Sequence, residues 1–189
     1  SAASDVYKRQ VQERGSTACD LLYAATKEEY TYSPENEPHI SLNFTHRLAK
    51  VILKFVNMEK EPLEVSDVRI EGMQTAASFN IQTDVLTVDE SSVATINPYH
   101  NATTGFYEAI ILPSALTDSY KVSFVLDDRE KEWIFTNLDI ALPQFHKGYS
   151  YTFALYIDDS GFVEMGRLEN VDGGNLSLIH ISEPTRPEP

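Results

Sequence analysis

Histidines are the residues of this sequence whose chemistry could support a functional site. His46 follows Leu42 and Phe44 at two-residue spacing, so it shares the apolar face of a predicted strand. An imidazole there could bind a metal ion or accept a proton. A buried histidine bonded to a backbone carbonyl at a strand irregularity is the commoner arrangement, and we predict it here. Between residues 11 and 175, three other histidines occur singly, at His39, His100 and His146.

Two acidic pairs could hold calcium through their carboxylate oxygens. They are Asp127-Asp128 and Asp158-Asp159. Neither has the Asp-x-Asp-x-Asp-Gly spacing that dedicated calcium loops use. Aspartate is also a common turn residue, because its side chain bonds to nearby backbone groups. We therefore predict two solvated hairpin turns and no metal site.

The sequence lacks the usual motifs of catalysis. It contains no Gly-rich phosphate loop, GxSxG elbow, HExxH helix or paired-cysteine zinc site. A single cysteine, Cys19, excludes an internal disulfide and a thiolate metal cluster. Asn43 and Asn101 begin N-x-T acceptor sequences, a pattern that often arises by chance, and the first falls inside a predicted strand. We predict no enzymatic activity, no catalytic residue and no cofactor.

The charge of the chain excludes further classes of partner. Its net charge of −14 at pH 7 repels nucleic acid backbones and anionic lipid heads. No stretch reaches the roughly 18 apolar residues that a membrane-spanning helix needs. At 42% hydrophobic residues, the chain has enough apolar material for one core of ordinary size.

Two-residue alternation of apolar and polar side chains runs through most of the chain. Such alternation is typical of strands that are buried on one face. The predicted strands are 19–24, 40–55, 65–70, 78–81, 85–88, 93–96, 106–112, 120–126, 133–135 and 149–157. Short strands at close spacing, separated by Gly, Pro and Asp turns, predict an all-β antiparallel β-sandwich. Its predicted core includes Phe44, Leu53, Phe124, Trp133, Tyr151 and Phe153.

One predicted strand changes its apolar face. Apolar side chains occupy even positions from 40 to 44 and at 48, with His46 between them, and then odd positions from 49 to 55. A strand changes its buried face only at a bulge or where it crosses from one sheet to another. We therefore predict such an irregularity at Leu48-Ala49.

Both ends of the chain match translated sequencing adapters. Residues 176–186 read LSLIHISEPTR, as a transposase adapter does when translated, and residues 1–10 fit the opposite adapter. We therefore expect one β-sandwich domain over 11–175, truncated at its N-terminus, with its core over about 38–168. Residues 1–10 and 176–189 are expected to pack poorly on that domain.

Four segments, in order along the chain, resemble the fimbrillin-like (Mfa-like) proteins of Bacteroidetes. The segments are DLLYA at 20–24, LNFTHRLAKV at 42–51, AIILP at 109–113 and FHKGYSYTF at 145–153. Residues 168–174 keep the glycines of the family's Asp-Gly-Gly ending and lack the tryptophan that often precedes it.

The resemblance implies a transthyretin-like, Greek-key β-sandwich of a non-enzymatic cell-surface protein. Such a protein would be exported as a lipoprotein and serve adhesion as a pilus subunit, anchor or tip component. Its partners would be other pilus subunits, joined by strand exchange, and host or bacterial surface ligands. A lipid anchor outside this sequence would attach it to the outer membrane. An open sheet edge suits strand exchange, because its free N–H and C=O groups can pair with another chain.

Two alternatives from other functional classes remain open. A carbohydrate-binding module of a surface glycan-handling protein would use exposed aromatic side chains as a sugar platform, and the candidates are Tyr30, Tyr32, Tyr99 and Tyr156. A sandwich hydrolase would need two carboxylates converging in a groove, roughly 5–10 Å apart. Coplanar tyrosines would favour the module, and an acidic cleft would favour the enzyme.

Overall fold

The computed structural model describes residues 4–8, 20–25, 44–58, 64–158 and 165–173, which form fifteen β-strands. The strands are β1 Ser4–Lys8, β2 Leu22–Tyr23, β3 Thr45–His46, β4 Ala49–Asn57, β5 Val65–Glu71, β6 Ala76–Asn80, β7 Val85–Val88, β8 Tyr99–His100, β9 Tyr107–Ile111, β10 Ser114–Ala115, β11 Lys121–Leu126, β12 Arg129–Ile134, β13 Gln144–Phe145, β14 Tyr149–Ile157 and β15 Gly166–Gly173. Within these residues there is no helix long and apolar enough to cross a membrane.

Two sheets enclose the main core. One has five strands in the order β15-β14-β4-β9-β8, and the other has three in the order β12-β11-β5. Among the described strand ladders, β4–β14 is parallel and the others are antiparallel. The all-β sandwich is confirmed. The transthyretin-like Greek-key topology stays a prediction.

Side chains that point inward at every second strand position fill the space between the two sheets. On β14, Tyr151, Phe153 and Leu155 point into the core, where they meet Val122 and Phe124 of β11 in one buried cluster. Burial of such side chains supplies the main driving force for folding. Five of the six predicted core residues are buried, as expected: Leu53, Phe124, Trp133, Tyr151 and Phe153.

Phe44 is the sixth, and its predicted burial is wrong. Its side chain is 62% exposed. The physical reason is that β3 does not continue into the sandwich: it pairs with β2 in a separate two-stranded ladder. Phe44 precedes that ladder, so its position on the apolar face of the predicted strand does not place it in the core.

A cluster of aromatic rings forms one part of the core. The ring of Phe153 lies 5.3 Å from that of Phe135, 5.9 Å from Trp133 and 6.2 Å from Phe145, between centroids. Gly166 makes room for this cluster, because a Cβ on that residue would come within 2.3 Å of the Trp133 ring. The packing of the Trp133 ring therefore requires glycine at position 166 of β15.

A second, smaller core lies on the opposite face of the five-stranded sheet. Ile110 of β9 points away from its neighbours in the main core and packs with Leu48, Ala77 and Leu112. Leu48 thus belongs to one core and Ala49 to the other. The chain crosses between sheets here, since β3 pairs with β2 and β4 lies in the five-stranded sheet. The predicted change of face at Leu48-Ala49 is confirmed.

Several predicted boundaries differ from the structure in detail. Residues 4–8 form β1, which pairs antiparallel with β6 through five residue pairs, because the edge of β6 offers free backbone groups. The bounds of the domain stay a prediction. The origin of residues 1–10 in an adapter stays a prediction, and residues 176–189 lie outside the described part. The core extends past 168, because Val171 of β15 is buried in it. The predicted strand 93–96 is reduced to single bridges at Val93 and Ile96.

Candidate functional site

An open groove separates the edges of two sheets. β7 is the outer strand of the sheet β1-β6-β7, and β10 pairs with β13 in a two-stranded ladder. The cavity between them measures about 510 Å³, and we call it the edge groove. Its lining comprises Arg47, Phe79, Asp84, Val85, Leu86, Val88, Pro113, Ser114, Ala115, Gln144, Phe145, His146 and Lys147. Its walls combine polar and apolar side chains in about equal measure, and Val85 on β7 is 50% exposed.

An ion pair with unpaired atoms lies in the edge groove. Arg47 Nη2 donates to Asp84 Oδ2 at 2.7 Å, and the Arg47 guanidinium lies 5.0 Å from the centroid of the Tyr23 ring. Arg47 Nε and Asp84 Oδ1 are both buried and have no hydrogen-bond partner among the described residues. Buried polar groups are normally paired, because desolvation without a hydrogen bond is costly. The ion pair therefore leaves one buried donor and one buried acceptor unpaired beside the groove.

Hydrogen bonds fix the other wall of the edge groove. The backbone N–H of His146 donates to Tyr151 Oη at 2.8 Å, which ties the end of β13 to β14. Burial raises the pKa of Tyr151 above its ordinary value. The N–H of Leu116 donates to the Pro143 carbonyl at 3.0 Å, next to the short β10–β13 ladder. This wall is therefore held by bonds that reach beyond its own two strands.

A second cavity surrounds His46, and we call it the His46 pocket. It measures about 230 Å³ and is lined by Asp20, His46, Leu48, Ala49, Lys50, Ile110, Gly148, Tyr149 and Ser150. Part of its floor is a row across the five-stranded sheet, in which Lys50 stands opposite Ile110 on one side and Ser150 on the other. The pocket therefore lies on the face of that sheet that points away from the main core.

His46 differs from its predicted environment. Its side chain is 59% exposed, and its Nδ1 makes a short hydrogen bond with Asp20 Oδ2. The predicted burial and carbonyl partner are both wrong, because β3 lies on the small ladder outside the sandwich. Asp20 Oδ1 also accepts the N–H of Leu21 at 2.9 Å. Both oxygens of this carboxylate are thus engaged.

The other chemical candidates of the sequence do not meet at a site. Asp127 and Asp128 are exposed and have φ values of +48° and +62° at the β11–β12 turn, so the predicted hairpin turn is confirmed for this pair. Asp159 lies outside the described residues. Within the described part, no three His, Cys, Asp or Glu side chains are placed to hold a metal ion. The Asn101 side-chain oxygen accepts the N–H of Thr103 at 3.0 Å.

The remaining histidines and tyrosines are dispersed. His100 is exposed and stacks on Tyr107 at 4.4 Å between centroids, and His146 lines the edge groove. Tyr99 and Tyr156 lie on the five-stranded sheet and are half-buried. Residues 30, 32 and 39 lie outside the described part, so the proposed platform of four tyrosines stays a prediction.

Sequence reasoning missed the residues that shape both cavities. Arg47, Asp84, Asp20 and Lys50 were not singled out, although a signal exists in the charges that interrupt the apolar run RLAKV at 47–51. The lining of each cavity contains one carboxylate, Asp20 or Asp84. Neither cavity therefore brings together the carboxylate pair that a glycoside hydrolase needs.

Comparisons with known proteins agree with this architecture. A crystal structure of a Bacteroides uniformis protein assigned to cell adhesion matches with a TM-score of 0.73 at 21% identity, over 90% of this chain and 65% of that protein. A second protein assigned to cell adhesion, from Bacteroides ovatus, matches with a TM-score of 0.55 at 16% identity, over 71% of this chain and 48% of that protein. No curated protein matches the sequence.

The chain thus spans between about half and two thirds of the length of these two solved proteins. At these identities the likeness establishes the fold. The sequence itself also matches a family model, described as fimbrillin-like, over residues 1–173. That match covers most of the 189 residues, including both cavities, and the chain belongs to the fimbrillin-like family.

Proposed function

We propose that this protein is a non-enzymatic component of a fimbria that serves adhesion, and that it accepts a β-strand from a neighbouring subunit in the edge groove. The observation that carries the proposal is the buried, unpaired donor and acceptor among the residues that line the edge groove, at Arg47 Nε and Asp84 Oδ1. An incoming peptide backbone offers both a C=O and an N–H, so it can pair with both atoms once the two side chains turn towards the groove.

The shape and composition of the edge groove support an extended occupant. β7 and β10 each have a described strand partner on one side, so each offers backbone groups on the other. Strand addition gains its affinity from such main-chain hydrogen bonds and its specificity from pockets for alternate side chains. Val85 and Leu86 on β7 supply apolar surface for such side chains.

Membership of the fimbrillin-like family supports the wider assignment. In this proposal the protein stands at the cell surface and is attached to the outer membrane through a lipid anchor. Its partners are other pilus subunits, and host or bacterial surface ligands. Its place in the fimbria is that of a subunit, an anchor or a tip component.

Light scattering after size-exclusion chromatography tests strand acceptance. The 189-residue chain should associate as its concentration rises. Val85→Lys places a charge on the exposed edge strand and should shift the chain towards the monomer, because charged edge residues oppose strand addition. Val93→Lys is the matched control, since Val93 is 53% exposed and lies outside the groove lining.

The two variants make the outcome decisive. Association that weakens in Val85→Lys and persists in Val93→Lys supports strand acceptance at the edge groove. A chain that stays monomeric at all concentrations would contradict the proposal, and so would equal effects of the two substitutions.

A further inference from the structure

We propose that the His46 pocket binds a single neutral sugar residue, such as the end of a glycan chain. This site is separate from the edge groove, since the two cavities share no lining residue. It therefore gives the protein a recognition function that does not depend on assembly.

The charges of the His46 pocket favour a neutral ligand. Lys50 Nζ is paired with Glu108 Oε2 at 2.9 Å, so its positive charge is already matched. An anion would also meet the nearby carboxylate of Asp20 and the −14 net charge of the chain. A cation would find both Asp20 oxygens engaged, by His46 and by the Leu21 N–H. Uncharged hydroxyl groups are not repelled by the carboxylate of Asp20 and do not need a free carboxylate oxygen.

The pocket offers polar groups that suit hydroxyls. His46 uses its Nδ1 towards Asp20, so the hydrogen bond fixes the ring and leaves Nε2 on the opposite side. When Nδ1 carries the proton, Nε2 accepts a hydrogen bond from a hydroxyl. The Ser150 hydroxyl can both donate and accept. These two groups come from different sheets and would contact different hydroxyls of one sugar.

Apolar surface completes the His46 pocket. Leu48 and Ile110, which belong to the smaller core on this face of the sheet, contribute aliphatic carbon to its lining. A sugar ring has hydroxyl groups along its edge and C–H groups on its face. The polar groups of the pocket suit the hydroxyls, and its aliphatic side chains suit the C–H face.

The dimensions of the pocket limit the size of the ligand. Its volume of about 230 Å³ lies below the roughly 300–1,000 Å³ of pockets for drug-sized molecules. Outside it, Leu22 stands opposite His46 in the β2–β3 ladder, and its side chain is 50% exposed. Phe44, two residues before His46, is 62% exposed. This apolar rim could contact a second sugar residue of a longer chain.

Saturation-transfer NMR on the 189-residue chain tests the proposal. The probes are the methyl glycosides of galactose, mannose, fucose and N-acetylglucosamine, with N-acetylneuraminic acid as the anionic probe. We expect at least one neutral glycoside to bind with a Kd near 1 mM, as is reasonable for one small ligand in a shallow site. The anionic probe should bind more weakly.

Matched variants locate the binding. His46→Gln should raise the Kd about tenfold through loss of a hydrogen bond. His100→Gln is the control and should leave the Kd unchanged, because His100 is exposed and lies outside the pocket lining. Thermal melting checks each fold, and Ser150→Ala replaces His46→Gln if that variant does not fold.

The outcomes separate this proposal from strand acceptance. Binding that falls in His46→Gln or Ser150→Ala and persists in Val85→Lys supports an independent sugar site. The sugar proposal is overturned if no neutral glycoside binds, if the anionic probe binds more tightly, or if the His46 and His100 variants behave alike. None of these results alters the association test at the edge groove.

Discussion

Truncation of Phe153 to alanine should destabilise the sandwich by about 3–5 kcal/mol. The side chain is fully buried, and burial of a phenylalanine contributes about 1.5–3 kcal/mol. Its ring also faces those of Phe135, Trp133 and Phe145, and each such pair adds about 0.5–1.5 kcal/mol when counted alone. Because the three contacts share one ring, their contributions are not additive.

Urea denaturation followed by tryptophan fluorescence measures this cost, since Trp133 is the only tryptophan and contacts the Phe153 ring. The corresponding fall in Tm is about 6–20 °C for a domain of this size. Phe44→Ala is the matched control, because Phe44 is 62% exposed and a surface substitution usually changes stability by about 0.5 kcal/mol or less. A cost below about 1 kcal/mol for Phe153→Ala, or equal costs for both variants, would refute the core assignment.

Three further predictions follow from individual contacts. Gly166→Ala should cost about 1–3 kcal/mol in urea denaturation, because its Cβ would overlap the Trp133 ring. Arg47→Ala and Asp84→Ala should each cost about 1–3 kcal/mol, and the double variant less than their sum, since each single change leaves the other partner unpaired. Burial raises the pKa of Tyr151 above 10.0, so the unfolded chain loses this proton first and stability falls as the pH rises above 10. Tyr151→Phe should show a shallower loss of Tm over that range, and an unchanged slope would contradict the assignment.

The long strands were predictable because each carries its own signal. From Tyr149 to Ile157 every second residue is a large apolar or aromatic one, and the structure places β14 over those same residues. The change of face at Leu48-Ala49 was equally readable, since it is a property of side-chain parity alone. Local alternation thus predicts the strands and which faces they bury.

Other parts of the fold depend on contacts that local sequence does not encode. β8, β10 and β13 have two residues each, too few to show any periodicity. The parallel pairing of β14 with β4 joins segments about 100 residues apart, and either strand would show the same alternation in an antiparallel ladder. The residues of the two cavities could not be predicted from sequence for the same reason. Asp20 and Asp84 are distant in sequence from His46 and Arg47, with which they pair.

One short segment contributes to both cavities and to both cores. His46 bonds to Asp20 at one cavity, and the next residue, Arg47, pairs with Asp84 at the other. Leu48 then enters the smaller core, Ala49 the main core, and Lys50 the floor of the His46 pocket. Because side chains alternate along an extended chain, inserting one residue after Arg47 would exchange these faces from Leu48 onward. The segment can therefore serve its four surroundings in one register only, which links the stability of the sandwich to the geometry of both proposed binding sites.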